Sequence, residues 1–181
     1  DNDPVINDLI TTATSSQPGF AVQPGTSAVS VLIVAGGGNS NPGGQAGAGG
    51  AGGYRYFPSV SVTGGNPYPL VVGGASSNSS AFGYSATGGG DGVAPRGTTP
   101  GGPGGSGGGA HLNNPSFGNG NDPPTSPPQG NNGAPFSGFV GGGGGGAGQA
   151  GSGKTGGNGA SAAIAPAPST GSGDNQVYSG G

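Results

Sequence analysis

Gly148 to Thr155 (GQAGSGKT) fit G-x-x-x-x-G-K-[ST], the pattern of a phosphate-binding loop. That chemistry needs a strand leading in and a helix leading out, because backbone N–H groups at the helix N-terminus hold the phosphate. Residues 141–146 before it are all glycine, and Gly156, Gly157, Asn158 and Gly159 follow it. Neither flank suits a strand or a helix, so the match is read as chance in a glycine-rich chain. His111 is the single histidine, and there is no cysteine. Zinc would need carboxylates converging on that ring. The acids are scattered, so His111 is expected in a surface loop. Asp91, Asp122 and Asp174 fall at no helical or strand spacing and the chain has no Glu, so no carboxylate pair for acid–base or glycosidase chemistry is expected. Asp122 with Asn119, Asn121 and nearby carbonyls carries the oxygen chemistry of a calcium site. A solvated Asx turn is the simpler reading of the same residues. Asn78-Ser79-Ser80 is an N-glycosylation sequon, which matters only in a glycosylating host. The chain is therefore expected not to be an enzyme and to need no cofactor or metal.

The elements that would position any site are unusual. Of 181 residues 50 are glycine and 18 proline, against three basic and six acidic residues. Glycine and proline are the poorest helix formers, which excludes a helical bundle and nearly excludes a doubly wound α/β enzyme. Low charge argues against an expanded disordered coil. A net charge of −3, with Arg55, Arg96 and Lys154 far apart, argues against nucleic acid. No apolar run approaches the ~20 residues of a membrane span. The chain starts at Asp1 and holds no methionine, which reads as a processed N-terminus or a fragment.

Residues 1–27 read as an extended docking arm, with one short helical turn at 5–10. A glycine-rich domain over 28–159 follows, and an extended Ala/Pro/Ser tail over 160–181. Within the domain, strands are predicted at 28–35, 54–63 and 68–72, with a fourth candidate at 81–87. In the first, Val29, Val31 and Ile33 face one way and Leu32 and Val34 the other, which predicts cover on both faces. Pro58 and Pro69 predict edges or bulges. Glycine dominates 36–53, 88–109 and 141–159. The 110–140 segment between the last two is expected to form a loop without regular structure beyond turns.

The glycine runs lack the strict three-residue period of collagen. A left-handed threefold extended helix remains open to them. It makes no internal hydrogen bonds, so its buried peptide groups must pair with neighbours. Glycine permits the close approach this requires. The predicted fold is thus mainly β and irregular, almost without α-helix, with short strands capping packed polyglycine-II-type segments. A flexible linker is the rival reading. It is disfavoured because strands and aromatics interrupt the runs. Tyr56, Phe57 and Phe82 are expected to cap the glycine layer. His111, Phe117, Phe136 and Phe139, in the 110–140 loop, are candidates for receptor contact.

The non-glycine words between the runs carry a resemblance. Residues 29–38 (VSVLIVAGGG), 47–55 (GAGGAGGYR), 59–63 (SVSVT), 68–74 (YPLVVGG), 76–83 (SSNSSAFG) and 86–90 (ATGGG) resemble the glycine-rich domain of bacteriophage tail-fibre and adhesin proteins. The resemblance covers about residues 28–109, and 141–159 continues in the same style. It departs from the family in ending on Ala/Pro (160–168) rather than a final aliphatic strand, and in a longer, more proline-rich 110–140 loop. The resemblance implies a non-enzymatic virion surface protein whose tip loops contact a host glycan or protein receptor. It also implies a homo-oligomer, a trimer being common among fibres, joined to other virion or fibre proteins through the N-terminal arm. The alternative is a self-assembling extracellular or cell-surface glycine-rich fibre protein of a cellular organism.

Overall fold

β-Branched and aromatic side chains concentrate in residues 17–34 and 54–86, and most of the strands fall there. The computed structural model describes residues 11–41, 43, 45–161 and 177–178. The helical turn expected at 5–10 and most of the 160–181 tail lie outside the described residues. The strands are β1 (Gln17–Ala21), β2 (Ala28–Val34), β3 (Tyr54–Ser61), β4 (Pro67–Val71), β5 (Ser79–Ala81), β6 (Tyr84–Ala86), β7 (Ala160–Ser161) and β8 (Val177–Tyr178). Every strand pairing is antiparallel. The strands form one sheet of order β1-β4-β5-β6 and two ribbons, β2-β3 and β7-β8. The described residues contain no helix, and so none long and apolar enough to cross a membrane. The protein is mainly β, with antiparallel sheets and irregular regions.

The expected arm and the expected fourth strand both differ from the sequence reading. Part of the expected arm is a sheet strand, because β1 pairs with β4. The expected fourth strand is a hairpin instead, with Phe82 and Gly83 at positive φ turning β5 into β6. Pro58 and Pro69 both sit where the register shifts, in the β2-β3 and β1-β4 ladders. There a missing N–H breaks no regular pair.

The four-stranded sheet packs on the β2-β3 ribbon through a small apolar core. Val31, Ile33, Ala35, Val60 and Ala86 are buried in it, with Phe57 and Phe82 packed against them. Phe82 meets Phe20 edge-on at 6.3 Å and Tyr68 at 5.1 Å, so one ring ties β1, β4 and the β5-β6 turn together. Leu32 and Val34, expected to be covered, are only half-buried. They stand opposite Tyr56 and Tyr54 in the register of the ribbon.

Beyond the sheets the packing is of backbone. Residues 46–53 pair with 87–93 by Gly47 N–H to Val93 O, Gly50 N–H to Gly90 O and Gly53 N–H to Thr87 O, at 2.7–3.0 Å. The same segment donates from Ala48 to Gly142 and from Ala51 to Gly145. It accepts from Ser106 at Ala51 and from Gly109 at Ala48. Each set of partners thus recurs every third residue, and successive residues address different neighbours. Residues 104–110 are the centre of the body and are buried throughout. Each of their N–H groups is donated and each of their carbonyls accepts, to and from segments around 48–51, 88–93, 102, 118–122, 131–134 and 142–145.

The expected loop at 110–140 therefore contains structure that was not anticipated. Asn131 and Ala134 accept from Gly107 and Ala110, and Gly118 donates to Gly108. Gly118-Asn119-Gly120 and Gly130 to Ala134 are glycine-rich enough to enter the same array.

The array admits side chains at few places. A Cβ on Gly109 would lie 1.9 Å from the carbonyl oxygen of Gly142, a backbone atom that cannot swing away. Gly74 has open space at its Cβ position. The Ser106 hydroxyl is fully buried and has no hydrogen-bond partner. Thermal or denaturant unfolding of three variants checks this packing. Gly109→Ala should lose about 3 kcal/mol or more, or fail to fold. Gly74→Ala should change stability by less than about 0.5 kcal/mol. Ser106→Ala should gain about 1 kcal/mol, since it keeps the tolerated Cβ and removes an unpaired buried hydroxyl.

Candidate functional site

The directions of the segments place their ends. Residues 104–110 run parallel to 87–93 and 129–134, and antiparallel to 46–53 and 141–146. β2 runs directly into 35–39, and 46–53 runs directly into β3, so the sheets stand at one end of the array. The opposite end is a row of chain reversals, with Gly43 and Gln45, with residues 94–97, and with two-residue turns at 112–113, 138–139 and 153–154. In each two-residue turn the flanking residues exchange both backbone hydrogen bonds: His111 with Asn114, Ser137 with Val140, and Ser152 with Thr155. Gly138 and Gly153 take positive φ while the residue after each does not, the signature of a type II′ turn with glycine first.

Neighbouring reversals touch. A Cβ on Gly43 would meet the Pro95 ring. Arg96 N–H donates to His111 Nε2 at 3.0 Å, and Asn114 Nδ2 donates to the Thr98 carbonyl at 2.5 Å. Ala110 is bonded to Ala134 and Gly142, which flank the 138–139 turn, and Gly153 lies against Ser137. The result is a continuous ridge.

The four residues singled out in the sequence are not equivalent on it. Phe139 is 80% exposed at the tip of its turn, with Val140 beside it at 48%. Phe117 is 37% exposed on the segment that leaves the 112–113 turn, and Phe136 is half-buried. His111 corrects the expectation of a surface histidine, since it is 1% exposed. Its Nε2 faces Arg96 N–H and its Nδ1 faces Asn113 N–H at 3.1 Å. A neutral imidazole has one acceptor nitrogen, so it satisfies one of these amides at a time. The ring holds two reversals together from inside and is not available to a receptor. The same ridge carries Arg96 and Lys154, both exposed, which the sequence did not suggest for receptor contact. Their signals were the Pro95-Arg96-Gly97 and Gly153-Lys154 turn pairs.

The other chemistry-bearing residues have structural employment. Gly148 to Thr155 forms the 153–154 reversal, with no strand before it and no helix after it. Asn121 Oδ1 accepts from Thr125 N–H, Thr125 Oγ1 and Gln129 N–H, so its oxygen is committed to folding the 121–129 loop. Among the described residues no group of three His, Cys, Asp or Glu side chains could hold a metal. Asn78 Oδ1 accepts from Gly88 N–H, and Ser79 Oγ from Gly73 N–H. Gln129, 1% exposed, accepts from Thr87 N–H and donates to Thr87 Oγ1 and Pro123 O. The Asp91 carboxylate accepts from the Ser76 hydroxyl and from Asn39 N–H and Nδ2. These bonds, that from Ser76 foremost, hold its pKa below the ordinary carboxylate value. Against known proteins, the chain matches no family, no curated protein and no solved structure.

Two measurements follow from these bonds. His111→Leu removes the single acceptor that the amides of Arg96 and Asn113 share and should cost about 1–3 kcal/mol in denaturant unfolding. Asp91 has a folded pKa below its unfolded value of 3.8, so its contribution to stability is present above that pH and lost as pH falls through the lowered value. An NMR titration should find the carboxyl below 3.8, and Ser76→Ala should move it upward.

Proposed function

We propose that this chain is a non-enzymatic structural virion protein, a fibre or adhesin component displayed on the particle surface. In this reading its glycine segments are packed polyglycine-II-type helices, and its ridge of reversals mediates host attachment. The carrying observation is the recurrence of lateral partners at every third residue around 104–110, the period of a threefold extended helix. Such an array is stiff and builds a body from few apolar side chains. It holds short turns at one end and sheets at the other, an arrangement suited to presenting contacts away from a support. The resemblance of residues 28–109 to phage tail-fibre and adhesin domains supports the same reading. Joining to other virion proteins falls to the N-terminal segment, residues 1–27, and a homo-oligomer, a trimer included, belongs to the proposal.

Attachment is tested with labelled full-length protein on susceptible and resistant cells. Selective binding to susceptible cells is expected, and equal binding to both would count against it. Electron microscopy of the native assembly should show short appendages on a particle. Long homopolymer filaments without a capsid would favour the cellular fibre instead. Hydrogen exchange tests the packing: amides of 104–110 should exchange at least about a thousandfold more slowly than free peptide, consistent with opening that requires global unfolding. Exchange at the free-peptide rate would overturn it.

A further inference from the structure

We propose that the ridge of reversals binds an anionic polysaccharide, laid along the ridge with a sugar face on Phe139 and its acidic groups at Arg96 and Lys154. This rests on the attachment reading and names the chemistry of what is attached.

The charge distribution points this way. The chain is acidic overall, at −3, and has three cations. Arg55 is at the sheet end, with its guanidinium 4.9 Å over the Phe57 ring and bonded to Ser85 O. The other two, Arg96 and Lys154, stand exposed on separate turns of the ridge. The carboxylates among the described residues are placed elsewhere. Asp122 starts the loop at the sheet end, its N–H bonded to Gly104 O, and Asp91 lies on a flank with its oxygen bonded to Asn39 and Ser76. Two exposed cations on the ridge, with both described carboxylates off it, favour an anionic ligand there.

The shape selects among anionic ligands. Single exposed residues on narrow, touching turns make a narrow surface, whereas a stable protein partner covers ~800 Å² on each side. They do offer a line of contacts, which a linear polymer can follow. Phe139, 80% exposed and next to Val140, presents a ring face without a polar group, suited to the C–H face of a sugar. The turns below are fixed by paired backbone bonds and by buried His111, so the contacts are held in place before binding.

The test uses the full chain against immobilised alginate, a linear uronate polymer, with neutral dextran and phosphatidylglycerol vesicles as comparisons. Binding to alginate but not dextran is expected, weakening as salt is raised. Phe139→Ser should weaken it about tenfold, as should Arg96→Asn combined with Lys154→Gln. Asparagine suits the positive φ of 61° at position 96, so that substitution keeps the turn. Asp122→Asn, at the opposite end, should bind as wild type. Equal binding to dextran, binding to vesicles alone, or undiminished binding by folded ridge variants would overturn the proposal. The cell assay separates it from the attachment reading. If the Arg96/Lys154 variant binds susceptible cells as well as wild type, the anionic ligand is wrong and attachment stands. If wild type binds no cells but does bind alginate through the ridge, attachment is wrong and the ligand chemistry stands.

Discussion

Peptide groups of neighbouring segments satisfy one another across the body of this protein, and everything else is arranged around that pairing. Fixing a residue costs roughly 1–2 kcal/mol of backbone entropy, and glycine lies at the costly end. A single hydrogen bond returns about 1 kcal/mol net, so a lone glycine segment has no reason to stay ordered. The 104–110 segment differs because both its N–H and C=O groups are used at every residue, by several surrounding segments. Close approach also excludes water, and in a dry interior each unmade bond is expensive. The order of any one segment thus depends on its neighbours being in place.

The sheets and the buried polar side chains complete the periphery of that array. The apolar core of Val31, Ile33, Val60 and Ala86 lies where β2 and β3 enter and leave the glycine segments. It anchors the first two segments by conventional hydrophobic burial. Gln129 bonds to Thr87 where the array meets the sheets, and Gln129 O accepts from Tyr54 N–H at the start of β3. At the other end His111 lies under two reversals. Each of these side chains reaches backbone groups that have left the repeating pattern.

Much of this was legible. β2, β3 and β4 announced themselves by β-branched residues and by glycine stops, and the prolines at 58 and 69 marked the register shifts. Phe57 and Phe82, expected to cap the glycine layer, pack against the apolar cluster between the sheets. The ridge was legible only in part. Phe139 follows a glycine in a turn, and its exposure suits the role considered for it. His111 was misread because a polar residue in a proline- and asparagine-rich stretch looks solvated. The ring is buried, and it accepts from the amide of Arg96, 15 residues earlier. Segments 117–121 and 129–134 were hidden for a related reason: their glycines are diluted by asparagine, while inclusion in the array depends on which positions face inward.

Composition by itself determined that long helices were unavailable, that a side-chain core would be small, and that any large buried volume would be backbone against backbone. Those conclusions need only the local preferences of glycine and proline and the scarcity of apolar residues. Which segments became neighbours, which end carried the reversals, and which side chains were sealed inside were decided by tertiary structure alone. Peptide groups are chemically alike along the chain, so a glycine segment carries almost no label for its partner. Partner choice emerges only when all the segments must be satisfied together.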